Sequence, residues 1–212
     1  MIKIFSRQAV MKHIWGILIF WMIGILFSSV SAEAASKMGR AKKAYKNFLS
    51  SYKTNPEFSE YAANEYAKDN FTFALSDINA DGIPELILRE SCADPYVYWI
   101  YSYHSGRIKK LKKMDYFSGG MLCDLYPKTH IVYASEGNSY KSDSIYYKLG
   151  KGRIKTIART RGKKCYVNGN RVSKGEYKKY IVRLKKGRKI SESKGTLKFR
   201  TNNTKNRNQY LK

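Results

Sequence analysis

The sequence predicts an α+β protein: an N-terminal amphipathic helix packed on an antiparallel β-meander, a strand-loop-strand calcium site within that meander, and a short C-terminal helix. Three observations carry this reading. Helical spacing of apolar residues is clearest at 37–52 and 173–185, with a shorter stretch at 57–68. Between them run short, alternating, tyrosine-rich segments punctuated by Gly and Asn turns. One turn, Asp77-Ile-Asn-Ala-Asp-Gly-Ile-Pro-Glu85, sets oxygen-bearing side chains at alternate positions around a glycine.

The chain opens with Lys3, Arg7 and Lys12 ahead of an uncharged run from Ile14 to Val30, and Ala32-Glu-Ala34 then supplies a small-x-small cleavage site. Residues 1–34 are therefore expected to be a secretory signal peptide, which places the protein outside the cell or on its surface. The alternative is an uncleaved membrane anchor through residues 14–30. Residues 35–186 are long enough for one α+β domain with a single core.

Within that domain, Met38, Ala41, Tyr45, Phe48, Leu49 and Tyr52 recur on one side of a helix, with Lys42, Lys43, Lys46 and Asn47 on the other. Asn55-Pro56 ends it, and 57–68 reads as a shorter second helix. Strands are expected at 71–78, 85–90, 96–104, 107–111, 130–134, 144–149 and 153–159. The hairpins around Gly106 and Gly152 share G-R-I-K-x-[LI] at a spacing of 46 residues, a weak internal repeat. After a strand and Asn-Gly turn at 166–172, Ser173-x-x-Glu176 is a capping box for a helix running to Lys185. Residues 187–212 are basic, Asn-rich and sparse in apolar side chains, and are expected to form a loosely ordered tail.

The turn at 77–85 points to a hard cation. The oxygens of Asp77, Asn79 and Asp81 can converge on one Ca2+, Gly82 permits the bend, and the Ile83 carbonyl and Glu85 can complete a six-to-eight oxygen shell. An EF-hand is excluded, because its closing Glu would fall at Leu88 and the flanks are β-prone rather than helical. The stretch D-I-N-A-D-G-I-P-E-L resembles the calcium loop of FG-GAP and VCBS-type β-repeats, D-x-[DN]-x-D-G-x-x-[DE]-[LIV] between two strands. That resemblance implies the same ligand set, while Pro84 and the single copy depart from tandem propeller arrays. The competing reading is a polar hairpin turn that uses Asn, Asp and Gly only for their backbone tolerance. From leader to the final Y-V-N-G and V-S-K-x-E-Y, the layout also resembles secreted proteins of low-GC Gram-positive bacteria, a likeness that implies no particular activity.

Charge divides the chain. Lys and Arg number 41 against 16 Asp and Glu, a net +25. From 55 to 104 there are nine acids against Lys68 and Arg89, whereas 105–212 carries 30 basic residues and six acids. The acidic stretch suits a cation site. The basic half, with Lys109, Lys110, Lys112 and Lys113 as its candidate contacts, suits teichoic acid, anionic lipid or an acidic glycan through counterion release. Specific nucleic-acid recognition is not expected, and a merely solvated surface is the bland alternative.

Catalytic signals are sparse. Cys92, Cys123 and Cys165 form neither a C-x-x-C nor a disulfide framework, and His104 and His130 sit in no spaced metal signature. The expected function is an exported, calcium-binding structural or binding module at the cell surface that contacts anionic envelope polymers. The alternative is an envelope hydrolase using a Cys123–His130 pair or carboxylates drawn from Glu57, Glu60 and Glu65.

Overall fold

The computed structural model describes residues 36–58, 71–90, 96–116, 122–138 and 141–212. The leader, Cys92 and most of the second helix expected at 57–68 lie outside these residues; of the latter, Pro56–Phe58 is a 3₁₀ turn. Residues 36–50 are helical (α1). The strands then build two antiparallel sheets. The first has the order β11-β1-β2-β3-β4, from β1 (Phe71–Ser76), β2 (Glu85–Glu90), β3 (Tyr96–His104), β4 (Arg107–Tyr116) and the short β11 (Arg200–Thr201). The second has the order β10-β9-β8-β7-β6-β5, from β5 (Leu122–Tyr126), β6 (Ile131–Asn138), β7 (Lys141–Gly150), β8 (Arg153–Arg161), β9 (Lys164–Val167) and β10 (Asn170–Val172). Helix α2 (Lys174–Leu184) follows β10, and α3 (Thr204–Tyr210) follows β11. The protein is thus a mixed helical and antiparallel-sheet chain, mostly β, with two sheets where the sequence suggested one meander.

The two sheets repeat one another in register. In the first, Leu86 pairs with Tyr101 and Leu88 with Trp99; in the second, Val132 pairs with Tyr147 and Ala134 with Ile145. Each residue is offset by 46. The hairpins obey the same rule: Ile100 and Tyr101 face Lys112 and Lys110 across a bulge at Leu111, while Tyr146 and Tyr147 face Ala158 and Thr156 across a bulge at Ile157. A bulge puts two consecutive side chains on one side of a strand. Leu111 and Ile157 close the shared motif, so G-R-I-K-x-[LI] marks a whole four-stranded unit rather than two similar turns. The units differ where their first two strands connect, through residues 77–84 in one and only 127–130 in the other.

Packing reveals how the units are stacked. Residues at equivalent positions point to different layers: Leu86, Leu88, Trp99 and Tyr101 face an outer cluster with Ala41, Tyr45, Leu49 and Phe58, whereas Val132, Ala134, Ile145 and Tyr147 face the cluster between the sheets. The first sheet supplies Ala74, Ile87, Tyr98, Ile100 and Met114 to that shared layer. The back of the second sheet, with Tyr126, Tyr146 and Ile157, is covered by Tyr177 and Ile181 of α2. The units therefore stack front to back, and helices close both open faces. Helix α2 starts where the capping box was expected, with Ser173 accepting from the Glu176 amide and Glu176 accepting from the Ser173 amide.

The expectation of a loosely ordered tail is overturned. Leu197 and Leu211 are buried, Ile190 bridges to Leu125, and the Asn202 amide donates to Phe71 while its side chain donates to Leu49. Two fully buried leucines supply on the order of 3–6 kcal/mol of transfer energy, which with these hydrogen bonds offsets the ordering of a polar segment. Arg89 adds an ion pair to Glu192 and lies over the Phe199 ring at 4.4 Å.

Candidate functional site

The loop between β1 and β2 is built by its own acceptors. Asp77 accepts from the Asp81 amide through Oδ1 (3.1 Å) and from the Gly82 amide through Oδ2 (3.0 Å). Asn79 Oδ1 also accepts from Asp81 (3.0 Å), and Asp81 Oδ1 accepts from Ile83 (2.9 Å). This wrapping requires left-handed backbone at Ala80 (φ 53°) and Gly82 (φ 83°). Gly82 takes that conformation freely, but Ala80 does so at a cost of about 1–2 kcal/mol. Tyr45 of α1 donates to the Pro84 carbonyl at 3.1 Å, tying the loop to the outer cluster.

Beneath the loop lies Glu85, 1% exposed. It accepts from the Ile78 amide through Oε2 and from the Asn79 side-chain amide through Oε1, both at 2.8 Å. Burial, and after it the nearby charges of Asp81 and Asp77, push its carboxyl up to about 8. Ser76 pairs with Glu85, and continuing the Leu86–Tyr101 register by one residue sets Ser102 on its other side. The hydroxyls of Ser76 and Ser102 are buried without a hydrogen-bond partner among the described residues. A polar row therefore runs under the loop, on the face turned toward the second sheet.

The five predicted ligands are brought together only in part. Asp77, Asn79, Asp81 and Ile83 share one turn, while Glu85 is directed inward to Ile78 and Asn79. Among the described residues, no three His, Cys, Asp or Glu side chains group closely enough to hold a metal ion. The loop is not neutralised either. The ion pairs of the described residues join Arg89 to Glu192, Lys110 to Glu57 and Lys189 to Asp124, and none reaches Asp77, Asp81 or Glu85. Each Asp oxygen that accepts one amide keeps a second lone pair, which is the capacity a hard cation uses.

The four lysines proposed as polyanion contacts share β4, an edge strand, but not one face. Lys110 and Lys113 lie opposite Tyr101 and Trp99 on the outer side, and Lys109 and Lys112 lie opposite Ser102 and Ile100 on the inner side. Lys110 is 2.8 Å from Glu57, and Lys112 stands 5.3 Å from the centre of the Tyr147 ring.

Residues weighed for catalysis are dispersed. Glu57 accepts from Tyr101 as well as pairing with Lys110. Glu60, Glu65 and the Cys123 side chain lie outside the described residues, and Cys165 is a buried free thiol. His104 packs against Gly152, where a Cβ would come within 3.1 Å of the imidazole. His130 lines a cavity of about 330 Å³ that sequence reasoning did not anticipate, because its walls come from β6, β7, β8 and α2. No family of known proteins, no curated protein and no solved structure matches this chain.

Proposed function

We propose that this chain is a calcium-stabilised structural and binding module of the cell exterior, a helix-capped pair of β-repeats whose basic half engages anionic polymers. One observation carries the metal reading. In a chain with 41 Lys and Arg, the three carboxylates around 77–85 have no basic partner among the described residues. Bound Ca2+ would be held by Asp77, Asn79, Asp81 and the Ile83 carbonyl, and would supply positive charge to a turn that otherwise holds only repelling acids. Glu85 anchors that turn from below through Ile78 and Asn79. The resemblance to FG-GAP and VCBS-type loops and the duplicated four-stranded unit support the same reading.

A surface loop of this kind should bind in the extracellular range, with a dissociation constant of about 10⁻⁴ to 10⁻³ M. At ten times that concentration, folding should gain roughly 1.4 kcal/mol, or about 3–6 °C in melting temperature. Asp81→Ala should erase the gain. Thermal melts of the leader-free protein in calcium and in chelator decide the matter, and equal melting temperatures would remove the metal from this account.

A further inference from the structure

We propose that the second repeat holds a phosphate-binding pocket at the position where the first repeat carries its acidic loop. The cavity of about 330 Å³ opens beside the short 127–130 connection and is lined by Lys128, Thr129, His130 and Lys148, with Tyr180 adding a hydroxyl. No carboxylate lines it. Ile131, Ile157 and Leu184 complete the wall with apolar surface.

Register explains why cations gather here. The row Ser76–Glu85–Ser102 of the first unit becomes Tyr126–Ile131–Lys148 in the second. The buried acid is replaced by isoleucine and the neighbouring serine by lysine. The connection is built to match. Pro127–Thr129 forms a 3₁₀ turn, His130 takes left-handed backbone (φ 59°), and its carbonyl accepts from Leu149 at 2.8 Å. Thr129 donates to the Leu184 carbonyl, which fixes the turn against the end of α2. Gly187, at φ 93°, lies so close to the Lys128 stem that a Cβ there would meet it at 2.8 Å. The backbone at Gly187 thereby restricts the paths open to the Lys128 stem. Restricting a long side chain before the ligand arrives lowers the entropy lost on binding. Two lysines and a histidine lining one small cavity suit the three oxygens of a phosphoryl group through charge-assisted hydrogen bonds.

This inference deepens the polymer reading above, because a phosphodiester chain and free phosphate present the same group. The test titrates inorganic phosphate, at constant ionic strength, into wild type, Lys128→Met/Lys148→Met and Lys151→Met/Lys163→Met. The last pair removes equal charge from exposed hairpin tips outside the cavity. Saturable binding should weaken at least ten-fold in the pocket variant and less than two-fold in the control, with near-UV circular dichroism unchanged in both. Equal losses in the two variants, or no saturable binding to the wild type, overturn the pocket. A parallel titration with a glycerol-phosphate polymer separates the two readings. Polymer retention without saturable phosphate binding overturns the pocket alone. Phosphate binding lost selectively in the pocket variant supports the pocket, and unaltered polymer retention in that same variant then counts against the pocket as the polymer's docking point.

Discussion

The two four-stranded units share a register, a hairpin motif and a bulge, yet at one corner they carry opposite chemistry. In the first, an eight-residue connection wraps three side-chain acceptors around its own amides above a buried Glu85. In the second, a four-residue turn stands above Ile131, with Lys128, His130 and Lys148 around a cavity. Backbone pairing and side-chain function have therefore separated. The pairing depends on alternation and on the bulge, both of which tolerate many residues. The corner depends on a few side chains at strand ends, where the core does not constrain them.

Stacking front to back has a further consequence. Two units packed face to face would bury both fronts and leave two equivalent backs. Front-to-back packing instead leaves one front and one back exposed, each needing a different cover, as in a repeat array with distinct end caps. Residues 39–50, α3 and Leu211 cover the front of the first sheet, and α2 covers the back of the second. The ordered tail is part of this arrangement, since β11 extends the first sheet beside β1.

The largest effects should come from cores at equivalent positions in different layers. Trp99→Ala should cost about 3–5 kcal/mol and Ile145→Ala about 2–4, by lost burial and by the cavities left behind. Because the inter-sheet cluster joins both units, both substitutions should lower one shared transition. Denaturant melts followed by tyrosine fluorescence and by far-UV circular dichroism should coincide. Two transitions, with each substitution moving only one, would break the stacked reading and make the units independent.

Next comes the buried acid that distinguishes the corners. Burial raises the Glu85 carboxyl to about 8 from an unfolded value of 4.5. The folded state therefore holds a proton that the unfolded state has released between these values. The Glu85 contribution to calcium-free stability should be fully present below pH 4.5 and fall by on the order of 3–5 kcal/mol as pH rises to about 8, then level off. Glu85→Gln should flatten this slope. Calcium should stabilise more at pH 8 than at pH 5, since an ionised Glu85 beneath the loop adds negative charge close to the cation. Ile131 has no charge to lose, so Ile131→Val should leave the slope intact. Chelator-treated protein whose stability is level from pH 5 to 8 would place water, not apolar burial, around Glu85.

Much of this comparison was legible in the sequence, but not its extent. The spacing Asp77, Asn79, Asp81, Gly82 announced the loop, and G-R-I-K-x-[LI] announced the hairpins. Hidden was the rest of the repeat, because Trp99 and Ile145, or Ile100 and Tyr146, have register in common rather than identity. The serine row was hidden for the same reason: alternation tells which face a residue takes, not which residue lies across from it. The tail looked disordered because its anchors, Leu197, Phe199 and Leu211, are few among polar residues and meet their partners only through the tertiary fold.

The smallest expected effect concerns the cap on the second unit's back. Ser173 accepts from Glu176 at 3.2 Å, and Glu176 Oε2 accepts from the Ser173 amide (2.9 Å) and hydroxyl (2.7 Å). Those bonds from Ser173 favour the ionised form and hold the Glu176 carboxyl below its usual range. Its contribution is present above the unfolded value near 4.5 and is lost as pH falls through the lower folded value. Ser173→Ala should cost about 1 kcal/mol near neutral pH, and less in acid, where the reciprocal partner is already protonated. The matching cap on the front, Asn203 accepting from the Asn206 amide at 2.8 Å, contains no acid. Asn203→Ala should therefore cost a similar amount at every pH. Denaturant midpoints of both variants at pH 7 and pH 3 give the contrast, and an equal pH response in the two would show that the α2 cap works through geometry alone.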